Sequence, residues 1–145
     1  TSSYVTDNSD LLQMREAFRL LWKKMVGILD RLAKMAKRFA KEPTLSYTHF
    51  QAAQPTTVGK RACLWLQDFY HDALDWQRLE GEIPFLGVKG ATGTQGSFLA
   101  LFEGDEKKVK ELEKRVAKTF GFTKILPIAG QTYSRKIDLS LLNAL

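Results

Sequence analysis

The sequence predicts an all-α protein built as a segment of a long-helix bundle. Three observations predict it. Apolar residues recur at helical spacing over a very long stretch, they form two adjacent stripes on that stretch, and the residues that turn a chain are confined to short intervals between helical patterns. With 145 residues, 44% hydrophobic and 26% charged, the chain has the balance of a globular protein with a core to bury.

From Asn8 to Glu42 there is no proline and one glycine. Leu11, Met14, Phe18, Leu21, Met25, Ile28, Leu32, Met35 and Phe39 alternate spacings of three and four, a heptad seam. Trp22, Val26, Leu29, Ala33, Ala36 and Ala40 make a second stripe beside it, so this helix needs at least two neighbours. About 33 residues at roughly 1.5 Å each give a rod of about 50 Å. A compact domain of this size is only about 40 Å across, so the rod predicts an oligomer or a larger helical protein. Asp7, Asn8, Ser9 and Asp10 are all N-cap types, which leaves TSSYV as a stretch held just before a helix start.

After a polar connector, Thr56 or Thr57 caps a second helix running to about Glu80. Val58, Ala62, Trp65, Phe69, Trp76 and Leu79 form one face, and Cys63, Leu66, Tyr70 and Ala73 lie beside it. GEIPFLGVKGATG is turn-rich. Thr94 to Glu103 predicts a short helix ended by Gly104, and Asp105 caps an amphipathic helix that Gly121 stops near Phe120. FTKILPIAG allows no more than a strand fragment. A last helix begins near Thr132 to Arg135 and is still running at Leu145; with Thr rather than Met at the start, both ends read as cut.

Other classes are disfavoured. The single cysteine, Cys63, excludes an internal disulfide, fits a reducing compartment, and reads as a small buried hydrophobe. No apolar run approaches the roughly 20 residues of a membrane span, so no membrane partner and a cytoplasmic location are expected. The formal charge of +6 admits an anionic partner, but no nucleic-acid-binding motif accompanies it, so no nucleic acid is expected. Metal-ligand spacing, a phosphate loop and a nucleophile elbow are all lacking, so those chemistries do not fit the residues.

Chemistry is expected in three polar stretches that each precede a helix: TSSYVTDN, YTHFQAAQP and AGQTYSRK. A helix start offers free backbone N–H groups suited to an anion. His49 is the one side chain among them with an ordinary pKa near neutrality, although a lone loop histidine is more often structural than catalytic. His71, among packing residues in FYHDALDW, reads as structural. GVKGATGTQGS lacks the dinucleotide fingerprint and reads as a turn, with approach to a ligand left open.

TSSYVTDN, THFQAAQPTTVGKR, GVKGATGTQGSFLALFEGD and GQTYSRKID, in this order and at this spacing, closely resemble the adenylosuccinate lyases of the eukaryotic type, in the fumarase/aspartase superfamily. The resemblance runs from end to end. It implies a mostly helical subunit whose long helices join those of three others in a homotetramer, so that residues 1–145 would be the central helical portion of a larger lyase subunit, truncated at both ends. The implied reaction is β-elimination. Fumarate leaves adenylosuccinate to give AMP, and leaves succinyl-aminoimidazole-carboxamide ribotide, both in purine nucleotide biosynthesis, and the resemblance implies no cofactor and no metal.

By the same resemblance His49 occupies the general-acid position. Thr48 is expected to hold the succinyl carboxylate, Thr1 and Ser2 to bind substrate at a helix start, and Gln131 to contact it through its amide. The family's catalytic serine belongs to a Ser-Ser-x-Met-Pro-x-Lys-x-Asn-Pro loop expected after Leu145, so this piece alone is expected to be inactive. Ala52 and Ala91 stand where the family pattern has Pro and Thr. Each active site of the superfamily draws on three subunits, so these residues need not meet within one chain. Two alternatives remain: another superfamily lyase such as argininosuccinate lyase, whose second motif reads Thr-His-Leu-Gln with Ala-Gln-Pro, or a non-catalytic helical oligomerisation module.

Overall fold

The computed structural model describes residues 3–144, which are mostly helical with one two-stranded sheet. The order is α1 (Ser3–Arg38), β1 (Pro43–Thr48), β2 (Gln51–Thr57), α2 (Val58–Glu82), α3 (Gly96–Leu101), α4 (Glu106–Thr119) and α5 (Lys136–Leu142). The chain forms two compact units. One comprises the residues up to Phe18 together with those from Arg78 onward, and the other runs from Arg19 to Gln77.

In the first unit the core gathers Leu11, Leu79, Ile83, Phe85, Leu86, Val88, Val109, Ala117, Phe122, Tyr133 and Leu141. Phe85 stacks near Phe120 and Phe122, with ring centroids 6.4 and 5.4 Å apart. The FTKILPIAG stretch contributes a strand fragment, as predicted: Phe85 bridges Ile125 in parallel sense. α4 follows its sequence signals closely. The Asp105 carboxylate accepts from the N–H groups of Lys107 and Lys108, and Gly104 and Gly121 take the positive φ that ends the preceding helix and this one. Arg15, buried on α1, donates to the Phe120 carbonyl at 2.6 Å, placing a cation on the negative end of α4, and its guanidinium lies 4.1 Å from the Phe122 ring centroid.

In the second unit Met25, Ala36, Ala62, Ala73 and Trp76 are buried. Gly59 is needed where it stands. A Cβ there would lie 2.5 Å from the Ala36 carbonyl oxygen and 2.7 Å from the Ala40 Cα, so only glycine lets the first turn of α2 come this close to α1.

Four expectations are corrected. α1 begins at Ser3, before the predicted caps, because Asp7 and Asn8 are spent on distant backbone groups: Asp7 accepts from Tyr133 N, and Asn8 accepts from Leu86 N while donating to the Gly87 carbonyl. The polar connector is a β-hairpin rather than a loop: β1 carries Thr44, Tyr47 and Thr48, residue types that suit a pleated backbone, and pairs antiparallel with β2. Cys63 is exposed, on the flank of α2 rather than its buried stripe. α5 ends at Leu142, with Asn143 as its C-cap.

Candidate active site

His49 and Phe50 form the two-residue turn of the hairpin. The register pairs Pro43 with Thr57, Thr44 with Thr56, Leu45 with Pro55, Tyr47 with Ala52 and Thr48 with Gln51; an irregularity falls between Leu45 and Tyr47, beside Pro55, which has no N–H to give a ladder. Both turn residues have positive φ, 48° for His49 and 62° for Phe50. Such a turn ordinarily carries Asn-Gly, because side chains with a bulky Cβ resist that conformation. Thr48, His49 and Phe50 are all exposed, so the ribbon carries a hydroxyl and an imidazole at its tip.

The base of the ribbon is fixed to the helices. Arg61 donates to the Leu45 carbonyl at 2.5 Å, and Thr57 Oγ1 accepts from Lys60 N at 3.1 Å as the cap of α2. Val58 N and Gly59 N donate to the carbonyls of Glu42 and Phe39 at 2.9 and 2.8 Å. The first donors of α2 are therefore used by Phe39 and Glu42, just past α1, and the polar stretch presents its side chains at a hairpin tip instead of at a free helix N-terminus.

Gln131 lies in the first unit, exposed, in an irregular segment before α5. That segment is tied to α1 by Asp7, which is 3% exposed. Asp7 Oδ2 accepts from Tyr133 N at 2.9 Å, and Oδ1 accepts from Arg135 at 3.0 Å. The bond to Asp7 raises the Arg135 pKa above its ordinary value, and the Arg135 guanidinium stacks 4.3 Å from the Tyr133 ring centroid. Burial, and then the bond from Tyr133 to Asp138 at 2.7 Å, pushes the Tyr133 phenol well above the usual range.

The glycine-rich stretch is held by a buried polar knot. Lys89, 6% exposed, donates to the carbonyls of Leu86 and Leu126, each at 2.8 Å, and to Glu113 Oε1 on α4 at 3.0 Å. The same oxygen accepts from Val88 N and from Gln95 Nε2. Gly93, at φ 79°, packs against the carbonyls of Ala129 and Gly130, a contact that leaves no room for a Cβ. This stretch thus supports the segment leading into Gln131.

The family described as Lyase matches residues 5–135. The chain belongs to the lyase family. Among relatives, it is 53% identical over all 145 residues to adenylosuccinate lyase of Schizosaccharomyces pombe and 50% identical over 142 residues, 98% of the chain, to that of Saccharomyces cerevisiae. The chain spans 30% of the length of each. Its fold matches that of a fumarate lyase from Mesorhizobium sp. BNC1, with a TM-score of 0.80 over 99% of this chain and 32% of that one, at 21% identity. It also matches a 3-carboxy-cis,cis-muconate lactonizing enzyme from Pseudomonas putida, with a TM-score of 0.69 over 88% of this chain and 27% of that one, at 23% identity. The predicted helical fold class is that of the family, and the hairpin is the one two-stranded sheet among the described residues.

Of the site residues expected for such a lyase, Thr48 and His49 are adjacent at the hairpin tip of one unit, and Gln131 is in the other. Thr1 and Ser2 lie outside the described residues. Asp7, Arg135, Lys89 and Glu113 escaped the sequence reading as site-building residues. An acidic residue near a helix start reads as a cap, and Lys89 and Glu113 are distant in sequence, so no local pattern marks them. Among the described residues no group of three or more His, Cys, Asp or Glu could hold a metal ion. Nor is any helix among them long and apolar enough to cross a membrane.

Proposed function

We propose that this chain is the central helical portion of a larger adenylosuccinate lyase subunit that acts in the cytoplasm. The reaction expels fumarate from adenylosuccinate to leave AMP, and from succinyl-aminoimidazole-carboxamide ribotide to leave the corresponding carboxamide. A base takes the proton on the carbon next to a succinyl carboxylate, electrons move to form the new C=C bond, the C–N bond breaks, and an acid protonates the departing nitrogen. His49 is that acid. Thr48 holds the succinyl carboxylate, while Thr1, Ser2 and Gln131 bind the remainder of the substrate. The base belongs to a segment beyond this chain, and the formal charge of +6 suits a substrate bearing carboxylates and a phosphate.

The single observation that carries the acid assignment is the hairpin tip. His49 and Phe50 hold left-handed backbone where Asn-Gly would be easier, and such conformations cluster at functional sites. Held this way, the imidazole stands clear of its own unit, available to a substrate bound partly by other subunits. The 53% identity to a yeast adenylosuccinate lyase supports the choice of reaction.

A homotetramer through the long helices completes the site. Its support is a groove of about 590 Å³ in the second unit, lined by Val26, Leu29, Asp30, Ala33, Cys63, Leu66, Gln67 and Tyr70 and almost wholly apolar. The test is turnover of adenylosuccinate by the complete polypeptide and by its His49→Gln variant. Loss of about 10²-fold or more in kcat is expected for a missing general acid. Unchanged kcat in a folded tetrameric variant removes His49 from the chemistry, and absence of turnover in the wild type favours a scaffold.

A further inference from the structure

We propose that Asp7 is a positioning residue for substrate binding: its buried carboxylate fixes the Gln131–Arg135 segment against α1 and so sets where the Gln131 amide meets the substrate. The inference rests on the adenylosuccinate lyase reading for the role of Gln131, and on geometry for everything else. Asp7 sits inside α1, beyond its first turn, and is 3% exposed. Its two oxygens are both used, one by the Tyr133 amide at 2.9 Å and one by Arg135 at 3.0 Å.

Residues 131–134 have no regular secondary structure, so tertiary bonds must set their position. The Tyr133 side chain, 4% exposed, anchors the segment from below, and its hydroxyl donates to Asp138. Asp7 anchors it from the α1 side through the backbone itself. Gln131 is two residues from that anchored amide, a span of at most about 7 Å of chain, so its reach is set by the Asp7 bond. A buried carboxylate is a poor way to gain stability alone, since an apolar pair would fill the same space without desolvating a charge. What a carboxylate adds is direction: it fixes one particular N–H and one guanidinium, and hence one register of the segment.

Gln131 stands just before Tyr133 and Arg135, the two partners of Asp7. A shift of the Asp7 contact would therefore move the Gln131 amide relative to the substrate. That effect falls on binding more than on proton transfer at His49.

The test is a double-mutant cycle of Asp7→Ala and Gln131→Ala in the complete polypeptide, with Asp7→Asn as the near-isosteric variant. Asp7→Ala is expected to raise KM for adenylosuccinate by about tenfold while kcat changes much less. In the Gln131→Ala background the same change is expected to add no more than about threefold, because its route of action is already gone. Equal effects in both backgrounds, or a fall in kcat with KM unchanged, overturn the proposal. Amide hydrogen exchange gives a readout independent of turnover: the Tyr133 amide is expected to lose protection in Asp7→Ala, which removes its acceptor, and less in Asp7→Asn, whose side-chain oxygen still accepts, while Val109 and Ala117 of α4 keep theirs. Unchanged Tyr133 exchange defeats the Asp7 contact even if the enzyme is active. Wild-type inactivity with altered exchange defeats the substrate role together with the lyase reading and leaves the contact standing.

Discussion

The Tyr133 phenol donates to Asp138 from a buried ring, and the cost of placing a phenolate there raises its pKa above the ordinary tyrosine value of about 10. The sign of the linkage follows. The unfolded chain releases this proton first, so the stabilisation is complete below about pH 10 and is lost as pH climbs towards the folded value. Tyr4, raised by burial and by the nearby Glu113 carboxylate, acts in the same direction. Urea midpoints are therefore expected to fall between pH 9 and pH 11, about, and Tyr133→Phe to fall less steeply over the same interval. Equal slopes would remove Tyr133 as the cause. At the hairpin tip the strain is conformational. Phe50→Gly relieves a left-handed Cβ at about 1–2 kcal/mol and gives back roughly 0.5–1 kcal/mol of chain entropy, so denaturant unfolding is expected to show a small gain in stability, under about 1 kcal/mol.

At the scale of elements, α4 was readable because its signals are local: Asp105 before it, Gly121 after it, and Val109, Leu112 and Val116 at helical spacing between. The hairpin was not, because its turn is His-Phe where the recognised signal is Asn-Gly, and its strands carry polar residues on both faces. The start of α1 departs from its local signals for the opposite reason. Asp7 and Asn8 have the chemistry of caps, and only the distant Tyr133 and Leu86 amides show that they serve elsewhere. The Lys89–Glu113 pair likewise joins residues 24 apart in sequence. Both partners are largely buried, so Glu113→Ala strands a lysine and leaves Val88 N and Gln95 without their acceptor. A loss of about 3–5 kcal/mol in unfolding free energy is expected. Gly59→Val should also destabilise, by about 1–3 kcal/mol, since the contact to Ala36 and Ala40 is backbone and cannot yield as a flexible side chain would. Thermal melts of the two variants check both.

For the whole molecule, the family and its helical class were legible because the motifs lie in order along the chain and the apolar stripes repeat. Where the second stripe goes was legible only as a need for neighbours. Phe18 and Met25 of the first stripe are buried, whereas Val26 on the second remains 46% exposed and Leu29 half-buried, and both line the apolar groove that Leu66 and Tyr70 complete from α2. An exposed apolar surface of this kind marks an interaction site. If it is where helices of other subunits lie, a charge placed in it must be desolvated on assembly with no partner to meet it, a penalty far larger than the same change costs on a solvated helix face. Leu66→Glu in the complete polypeptide is accordingly expected to shift the proposed tetramer towards smaller species in sedimentation velocity while far-ultraviolet circular dichroism stays helical. Because the proposed site draws residues from several subunits, turnover should fall in step with the tetramer fraction and recover with protein concentration. A Leu66→Glu protein that stays tetrameric and fully active would place the subunit interface on another face.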